Sequence, residues 1–330
     1  MNKIAQAIFF ITLVPLFSSM LFGFEVSDFE NIYFLHHSTG NGVYTYPDKG
    51  VPTWFSEYNA AHSTNFQISH RYYPNTPYPW ANYPYDYWNL WINGACDNGD
   101  PDIVCMDNLV QNYDVIIYKH CYPGSDILAD TGSPDISSDR KSLENYKLQY
   151  RALRDLMDKY PDTIFILWTL PPRRESETNA ANAARATQFS EWVKNEFLTE
   201  DGKSHPNIYI FDYRSITVGP DNFLADEYVG DSSSHPNDAG NNAAGPLFAQ
   251  FIVDSIYDFV NNKSASRNVV DHYNLADFDT LSQEQTDKVR DLNWYFGHQS
   301  TGRIMMYGLD SLETQNPSLY GINIVPESGV

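Results

Sequence analysis

The segment Asn31-Ile-Tyr-Phe-Leu-His-His-Ser-Thr-Gly40 joins an apolar run directly to a polar, glycine-containing turn. The apolar run predicts a buried strand. A serine at the end of such a strand, followed by glycines that let the backbone turn sharply, exposes its hydroxyl above the sheet. Ser38 is therefore a candidate nucleophile, and a serine that caps a helix is the alternative interpretation.

Four further apolar runs have the length and composition of strands. They span residues 66–73, 113–119, 163–170 and 207–213. Several are continuous rather than alternating, as in a parallel sheet that is buried on both faces. Helical patterns cover residues 143–160, 180–198 and about 237–260. Strands that alternate with helices predict a doubly wound α/β sheet, whose functional groups collect at the carboxyl ends of the strands.

A second polar block, Asp231-Ser-Ser-Ser-His235-Pro236, lies between the fifth strand and the last helix. A histidine there would swing over the end of the first strand, take the proton of Ser38 and return it to the leaving alcohol. Asp231 would orient the ring and stabilise its protonated form. The alternative is a surface loop whose His-Pro pair only precedes a helix.

The strand-end serine, the block that ends in His-Pro and the five strands resemble the SGNH (GDSL-type) hydrolase superfamily over about residues 28–260. The resemblance implies a flavodoxin-like, five-stranded parallel sheet flanked by helices in three α/β/α layers. It also implies a Ser-His-Asp triad that needs no metal or other cofactor. If the roles of the family residues are carried over to this sequence, Ser38 is the nucleophile, His235 is the base and Asp231 is the partner of His235. Members of the family are esterases, lipases and carbohydrate O-deacetylases.

This sequence departs from the family pattern at three places. The Gly-Asp-Ser-Leu block reads His36-His37-Ser38-Thr39, and Ser232 stands where the family aspartate lies three residues before the histidine. No Gly-x-Asn-Asp follows the third strand, although acyl transfer needs preorganised oxyanion donors. The backbone N–H of Ser38 is one candidate donor. The other candidate oxyanion or substrate contacts are Gly40, Trp80, Asn82, Lys119, His120 and Arg173. A surface salt bridge is the alternative for Lys119.

Residues 72–91 are unusually aromatic, with nine Tyr or Trp among 20 positions. Flat rings with hydroxyl and indole donors suit sugars, which have apolar faces and polar rims. Large aromatic side chains also bury well, so an aromatic core that closes the edge of the sheet is the alternative. Arg173, after the fourth strand, would hold a substrate carboxylate or belong to a solvated turn.

The first 23 residues have the pattern of a signal peptide: Lys3, an apolar run broken by Pro15, and small residues at the end. An uncleaved anchor is the alternative. We expect a secreted or periplasmic protein without stable membrane insertion after signal removal, because no later segment reaches the roughly 18 apolar residues of a spanning helix. The net charge of −21 argues against nucleic acid as a partner.

Three cysteines fit an oxidising compartment. Cys96 and Cys105 flank a turn-like loop and predict a local disulfide. Cys121, at the end of the third strand, is better explained as a small buried residue than as a nucleophile.

An internal repeat links the two ends of the chain. Residues 31–40 recur as residues 293–302 with seven of ten positions identical, and 28 residues follow the second copy. An offset of 262 residues predicts a duplicated domain. We therefore expect four segments. They are a signal peptide (1–23), an SGNH-like domain (24–262), a linker with a lead-in helix (263–288) and the N-terminal fragment of a second SGNH-like domain (289–330).

The sequence thus predicts a serine ester hydrolase that removes O-acyl groups, such as acetyl, from a carbohydrate or hydrolyses another small ester. One alternative is a catalytically impaired carbohydrate-binding or cell-surface module that keeps the fold. Another is a zinc hydrolase built from His36, His37, His120 and His235, although these have no metal-type spacing.

Overall fold

The computed structural model describes residues 24–230 and 233–265. The predicted signal peptide, the predicted linker beyond residue 265 and the second copy lie outside these residues, and so does Asp231; all of them stay predictions. Within the described part of the chain, no helix is long and apolar enough to span a membrane.

Five parallel strands form one sheet in the order β2-β1-β3-β4-β5. The strands are β1 (Asn31–His36), β2 (Gln67–Tyr72), β3 (Val115–Tyr118), β4 (Ile164–Trp168) and β5 (Ile208–Phe211). This order is that of flavodoxin-like sheets. The predicted fold class is confirmed. The order in which strands are added to the sheet reverses between β1 and β3. The carboxyl ends of these two strands therefore border the crevice where such folds place their ligands.

Eight α-helices are present in the described ranges. They are α1 (Ser38–Tyr44), α2 (Val51–His62), α3 (Pro84–Trp91), α4 (Met106–Asn112), α5 (Leu143–Met157), α6 (Ala180–Asn195), α7 (Tyr213–Thr217) and α8 (Asp238–Ala265). The cysteines Cys96 and Cys105 form a disulfide across the connection from α3 to α4, with their Cα atoms 5.3 Å apart. The third cysteine, Cys121, is free and buried.

Strand β3 shows how the sheet divides the interior into two cores. Its side chains alternate, so Val115 and Ile117 face a core that includes residues of α1, α2 and α8. Ile116 and Tyr118 face the opposite core, which includes residues of α3, α5 and α6. All four side chains are buried. This continuous burial explains why the strand reads as an unbroken apolar run.

Candidate active site

Ser38 lies where β1 passes into α1. His37 has extended backbone and occupies the N-cap position, so Ser38 is the first residue of the helix and not its cap. The half-buried hydroxyl Oγ instead forms a hydrogen bond with Sγ of Cys121 at 3.3 Å. Ser38 therefore occupies the strand-end position expected of a nucleophile, and it contacts Cys121, which was predicted to be a small buried residue and not a nucleophile.

The residues after β3 continue the alternation of the strand. Lys119 and Cys121 point toward α1: a Cβ on Gly40 would come within 3.1 Å of Cδ of Lys119, and Cys121 contacts Ser38. His120 points toward the other core. A period of two along the chain thus places residues 119 and 121 beneath Ser38 and residue 120 away from it.

Lys119 is fully buried, so the alternative of a surface salt bridge is wrong. Within the described residues, its Nζ makes no hydrogen bond of good geometry and no ion pair with a carboxylate. Burial lowers the pKa of its ammonium group, and the neighbouring Cys121 opposes that shift. The amine of Lys119 and the sulfur of Cys121 therefore influence each other beneath the first turn of α1.

The ring of His120 lies among aromatic side chains, edge-on to Tyr87 at 4.9 Å and tilted against Tyr150 at 5.5 Å. Burial, together with the charge of Lys119, lowers its pKa to about 3, so the ring is neutral at ordinary pH. Because His120 faces the core opposite to Ser38, the structure argues against the predicted role of this side chain as an oxyanion donor.

Gly40 and Asn82 have structural tasks at the site. The N–H of Gly40 donates to the carbonyl oxygen of His37 at 2.7 Å. The side-chain Nδ2 of Asn82 donates to the backbone carbonyl oxygen of Tyr73 at 2.9 Å. The backbone carbonyl oxygen of Asn82 accepts from the backbone N–H of Cys121 at 3.0 Å. Asn82 therefore holds the aromatic segment against the end of β3, and its two amide hydrogens are not both available to a substrate.

The aromatic segment divides into buried rings, as the alternative of an aromatic core predicts, and exposed rings, for which sugar binding stays a prediction. The buried members are Tyr73, Tyr78, Tyr83, Tyr87, Trp88 and Trp91, and they pack against the sheet and α5. Tyr72 and Trp80 remain exposed, at 42% and 38% of their surface. Helix α3, which carries three of the buried rings, begins at Pro84 with the side chain of Asp86 accepting backbone hydrogen bonds in a capping box.

The exposed rings Tyr72 and Trp80 both contact His37, the residue before Ser38. The ring of Trp80 stacks on that of His37 with centroids 3.7 Å apart, and Tyr72 meets the same ring edge-on at 5.7 Å. The Nε2–H of His37 donates to the carbonyl oxygen of Pro74 at 2.6 Å, and burial lowers its pKa to about 4. A fixed neutral imidazole thus supports an aromatic surface beside Ser38.

His235 lies at the same end of the sheet as Ser38. Its ring packs edge-on against Tyr122 with centroids 5.0 Å apart, and its Nδ1 hydrogen-bonds to Oγ of Ser233 at 2.6 Å. Tyr122 directly follows Cys121, the residue that contacts Ser38. The candidate nucleophile and the candidate base therefore contact adjacent residues, and a direct contact between the two stays a prediction.

Arg173 also lies at this edge, with its guanidinium 5.9 Å from the centroid of the Tyr122 ring. Its Nη1 is 3.6 Å from Oδ2 of Asp126, and the side chain is 17% exposed. The positive charge therefore already has a carboxylate partner, which weakens its predicted capacity to bind the carboxylate of a substrate.

The four histidines weighed as zinc ligands do not share one neighbourhood. Nε2 of His36 contacts Nδ1 of His70 at 2.8 Å, whereas His120 faces the opposite core. No group of three His, Cys, Asp or Glu side chains suited to a metal ion occurs in residues 24–230 and 233–265.

No family model and no curated protein matches the chain. Two solved structures are similar to it at low identity. A protein of Desulfitobacterium hafniense assigned to the G-D-S-L lipolytic family is 13% identical, with a TM-score of 0.38 over 67% of this chain and 98% of its own. A protein of Bacteroides fragilis assigned as an acylhydrolase is 12% identical, with a TM-score of 0.43 over 69% and 88% of the two chains.

Proposed function

We propose that the protein is an exported carboxylic ester hydrolase with Ser38 as the nucleophile and His235 as the general base. The observation that carries the proposal is the position of Ser38 at the end of β1, in contact with Cys121. The next residue, Tyr122, packs against the ring of His235. A serine is a weak nucleophile unless a base accepts its proton, and His235 is the proposed base because its ring packs against the residue that follows Cys121.

The reaction would run through a covalent acyl-serine. As Oγ of Ser38 attacks the ester carbon, its proton passes to His235, which then delivers it to the leaving alcohol. Water, activated by the same ring, releases the acid and restores Ser38. Asp231 would orient the imidazole. The N–H of Ser38 is the proposed oxyanion donor, because an N–H in the first turn of a helix has no carbonyl partner within that helix.

The esterase activity is tested with an aryl acetate. Ser38→Ala and His235→Ala are each expected to lower kcat by roughly 10²–10⁴-fold, the usual contribution of a positioned general base. Ser190→Ala, the same substitution at a buried serine of α6, serves as the matched control and should retain the wild-type rate. Equal rates in wild type and Ser38→Ala would refute the proposal.

We further propose that the ester is an O-acyl group on a carbohydrate. The support is the pair of exposed rings, Tyr72 and Trp80, held beside the nucleophile by His37. Aromatic faces with polar edges match the apolar faces and hydroxyl rims of sugars. The net charge of −21 favours neutral or cationic sugars over polyanionic ones, which the protein would repel.

Trp80→Ala tests the carbohydrate part of the proposal. Loss of one stacking ring should lower kcat/KM for an acetylated oligosaccharide by about 3- to 10-fold, as expected for an aromatic contact of about 1 kcal/mol. The rate on an aryl acetate should change less. Ile92→Ala is the matched control, since Ile92 is also 38% exposed but lies at the end of α3. An identical loss on both substrates would argue against a sugar-binding surface.

A carbohydrate-binding module without catalysis is the second candidate. The observation in its favour is that the predicted oxyanion donors are engaged or turned away: the amide of Asn82 binds Tyr73, the N–H of Gly40 binds His37, and His120 is buried. Saccharide binding that depends on Trp80, without acetate release from any ester, would identify this function.

A further inference from the structure

Polar groups of the first turn of α1 converge on the sulfur of Cys121. Oγ of Ser38 lies 3.3 Å from Sγ, and Oγ1 of Thr39 lies 3.8 Å from it. The backbone N–H of Thr39 also points to the sulfur. Donors that converge on one atom favour its anionic form, because the thiolate is the better acceptor.

A cation lies beside the same sulfur. Lys119 is fully buried and has no carboxylate partner among the ion pairs of residues 24–230 and 233–265. An unpaired charge in the interior is costly, so a buried ammonium needs a compensating group nearby. Cys121 is the group that raises the pKa of Lys119 against the effect of burial. Lys119 and Cys121 are thus each other's electrostatic partners.

Two opposing effects act on the thiol. Burial raises the pKa of Cys121, as it does for an inert core cysteine, whereas the charge of Lys119 and the donors from Ser38 and Thr39 lower it. The lowering effects prevail, so the pKa lies below the usual value. An ordinary buried cysteine in an apolar core would shift in the other direction.

We infer that Cys121, paired with Lys119, is a positioning residue for the nucleophile: the contact of its sulfur with Oγ of Ser38 fixes the direction of Oγ above the sheet before the hydroxyl proton passes to His235. Without this contact the short side chain of Ser38 has several staggered rotamers. A misplaced nucleophile is costly, since an error of about 1 Å changes rates by about 10²-fold. The role in catalysis rests on the proposed function, but the Ser38–Cys121 interaction does not.

The interaction is tested first without any substrate. The full chain has three cysteines, of which two form the disulfide, so cysteine labelled with ¹³C at Cβ gives a single titrating resonance from Cys121. We expect the wild-type thiol to titrate below the value of about 8.5 of a free cysteine. Ser38→Ala should raise this pKa, Lys119→Met should raise it further, and the control Ser190→Ala should leave it unchanged.

A wild-type pKa at or above that of free cysteine would overturn the inference, because burial would then dominate and Cys121 would be a core residue. A pKa that is equal in wild type and Ser38→Ala would do the same. Both outcomes are decided whether or not the protein hydrolyses an ester, so failure of the inference and failure of the proposed function are distinguishable.

Kinetics of two Cys121 variants test the positioning role. We expect Cys121→Ala to lower kcat on an aryl acetate by about 10-fold or more with little change in KM. Cys121→Ser should recover part of that loss, because its hydroxyl accepts a hydrogen bond from Ser38. A purely apolar packing role predicts the opposite order, with alanine tolerated better than serine at a buried position. An activity of Cys121→Ala at or above that of Cys121→Ser would overturn the positioning role.

Discussion

Replacing Gly40 by alanine should destabilise the protein and displace Ser38, the proposed nucleophile. A Cβ at this position would lie 2.5 Å from Cβ of His36 in β1. Strand β1 is paired with β2 on one side and with β3 on the other. The strand cannot move aside, so an ordinary contact of about 3.5 Å requires α1 to retreat by about 1 Å. Overpacking of this kind costs about 1–3 kcal/mol, against about 1 kcal/mol gained from the helix propensity of alanine.

The expected net loss for Gly40→Ala is up to about 2 kcal/mol, which corresponds to a Tm lower by roughly 4–8 °C for a domain of this size. Gly42→Ala, in the same helix, is the matched control. Its Cβ would meet the end of the Asn241 side chain, with Oδ1 at 2.7 Å; this is the end of a flexible side chain, held by a long hydrogen bond of 3.4 Å from Nδ2 to the carbonyl oxygen of Pro236. Thermal unfolding followed by circular dichroism compares the two variants. The reasoning is wrong if Gly40→Ala is as stable as Gly42→Ala.

Two further predictions concern stability. Opening the Cys96–Cys105 disulfide, whose cysteines are nine positions apart, should lower the free energy of unfolding by about 2–3 kcal/mol. The measurement is the denaturant midpoint of the variant in which both cysteines are serine, and an unchanged midpoint would contradict the prediction. Burial raises the pKa of Asp212, but its contacts with Lys194 and Ser215 prevail and lower it. The carboxylate therefore stabilises the folded state at pH values above its pKa in the unfolded chain, which is about 3.9. This stabilisation is lost as the pH falls through the lower pKa that Asp212 has in the folded protein. The stability gap between wild type and Asp212→Asn should thus shrink under acid, and a gap that is constant with pH would contradict the sign.

The sheet was predictable because each strand is a continuous apolar run, the pattern that burial on both faces requires. β1 was predicted with its observed bounds, Asn31–His36. The third run, 113–119, shortens to Val115–Tyr118, because the residues at its two ends have no ladder partners on β1 and β4. Hydrophobicity marks what is buried, whereas pairing with neighbouring strands fixes where a strand ends.

The helices that were not predicted include α2 (Val51–His62), α3 (Pro84–Trp91), α4 (Met106–Asn112) and the short α7 (Tyr213–Thr217). Aromatic residues favour strands by propensity, and the prolines around α3 suggest a loop. The signal that was available is local: Pro84 at the first position of the helix and Asp86 in its first turn are both typical of a helix start. Packing of the rings against α5 then outweighs their propensity.

The role of Cys121 could not be predicted from its own neighbours in the sequence, which suggest only the end of an apolar strand. It depends on two facts about the fold: β1 pairs with β3, and the alternation of β3 continues for three residues beyond its last ladder partner. The first fact brings residue 121 to the level of Ser38, and the second turns it toward α1. Lys119 follows the same argument, because a side chain two residues earlier points to the same face. In a doubly wound sheet, the surroundings of a strand-end nucleophile are therefore set as much by the tail of the adjacent strand as by its own motif.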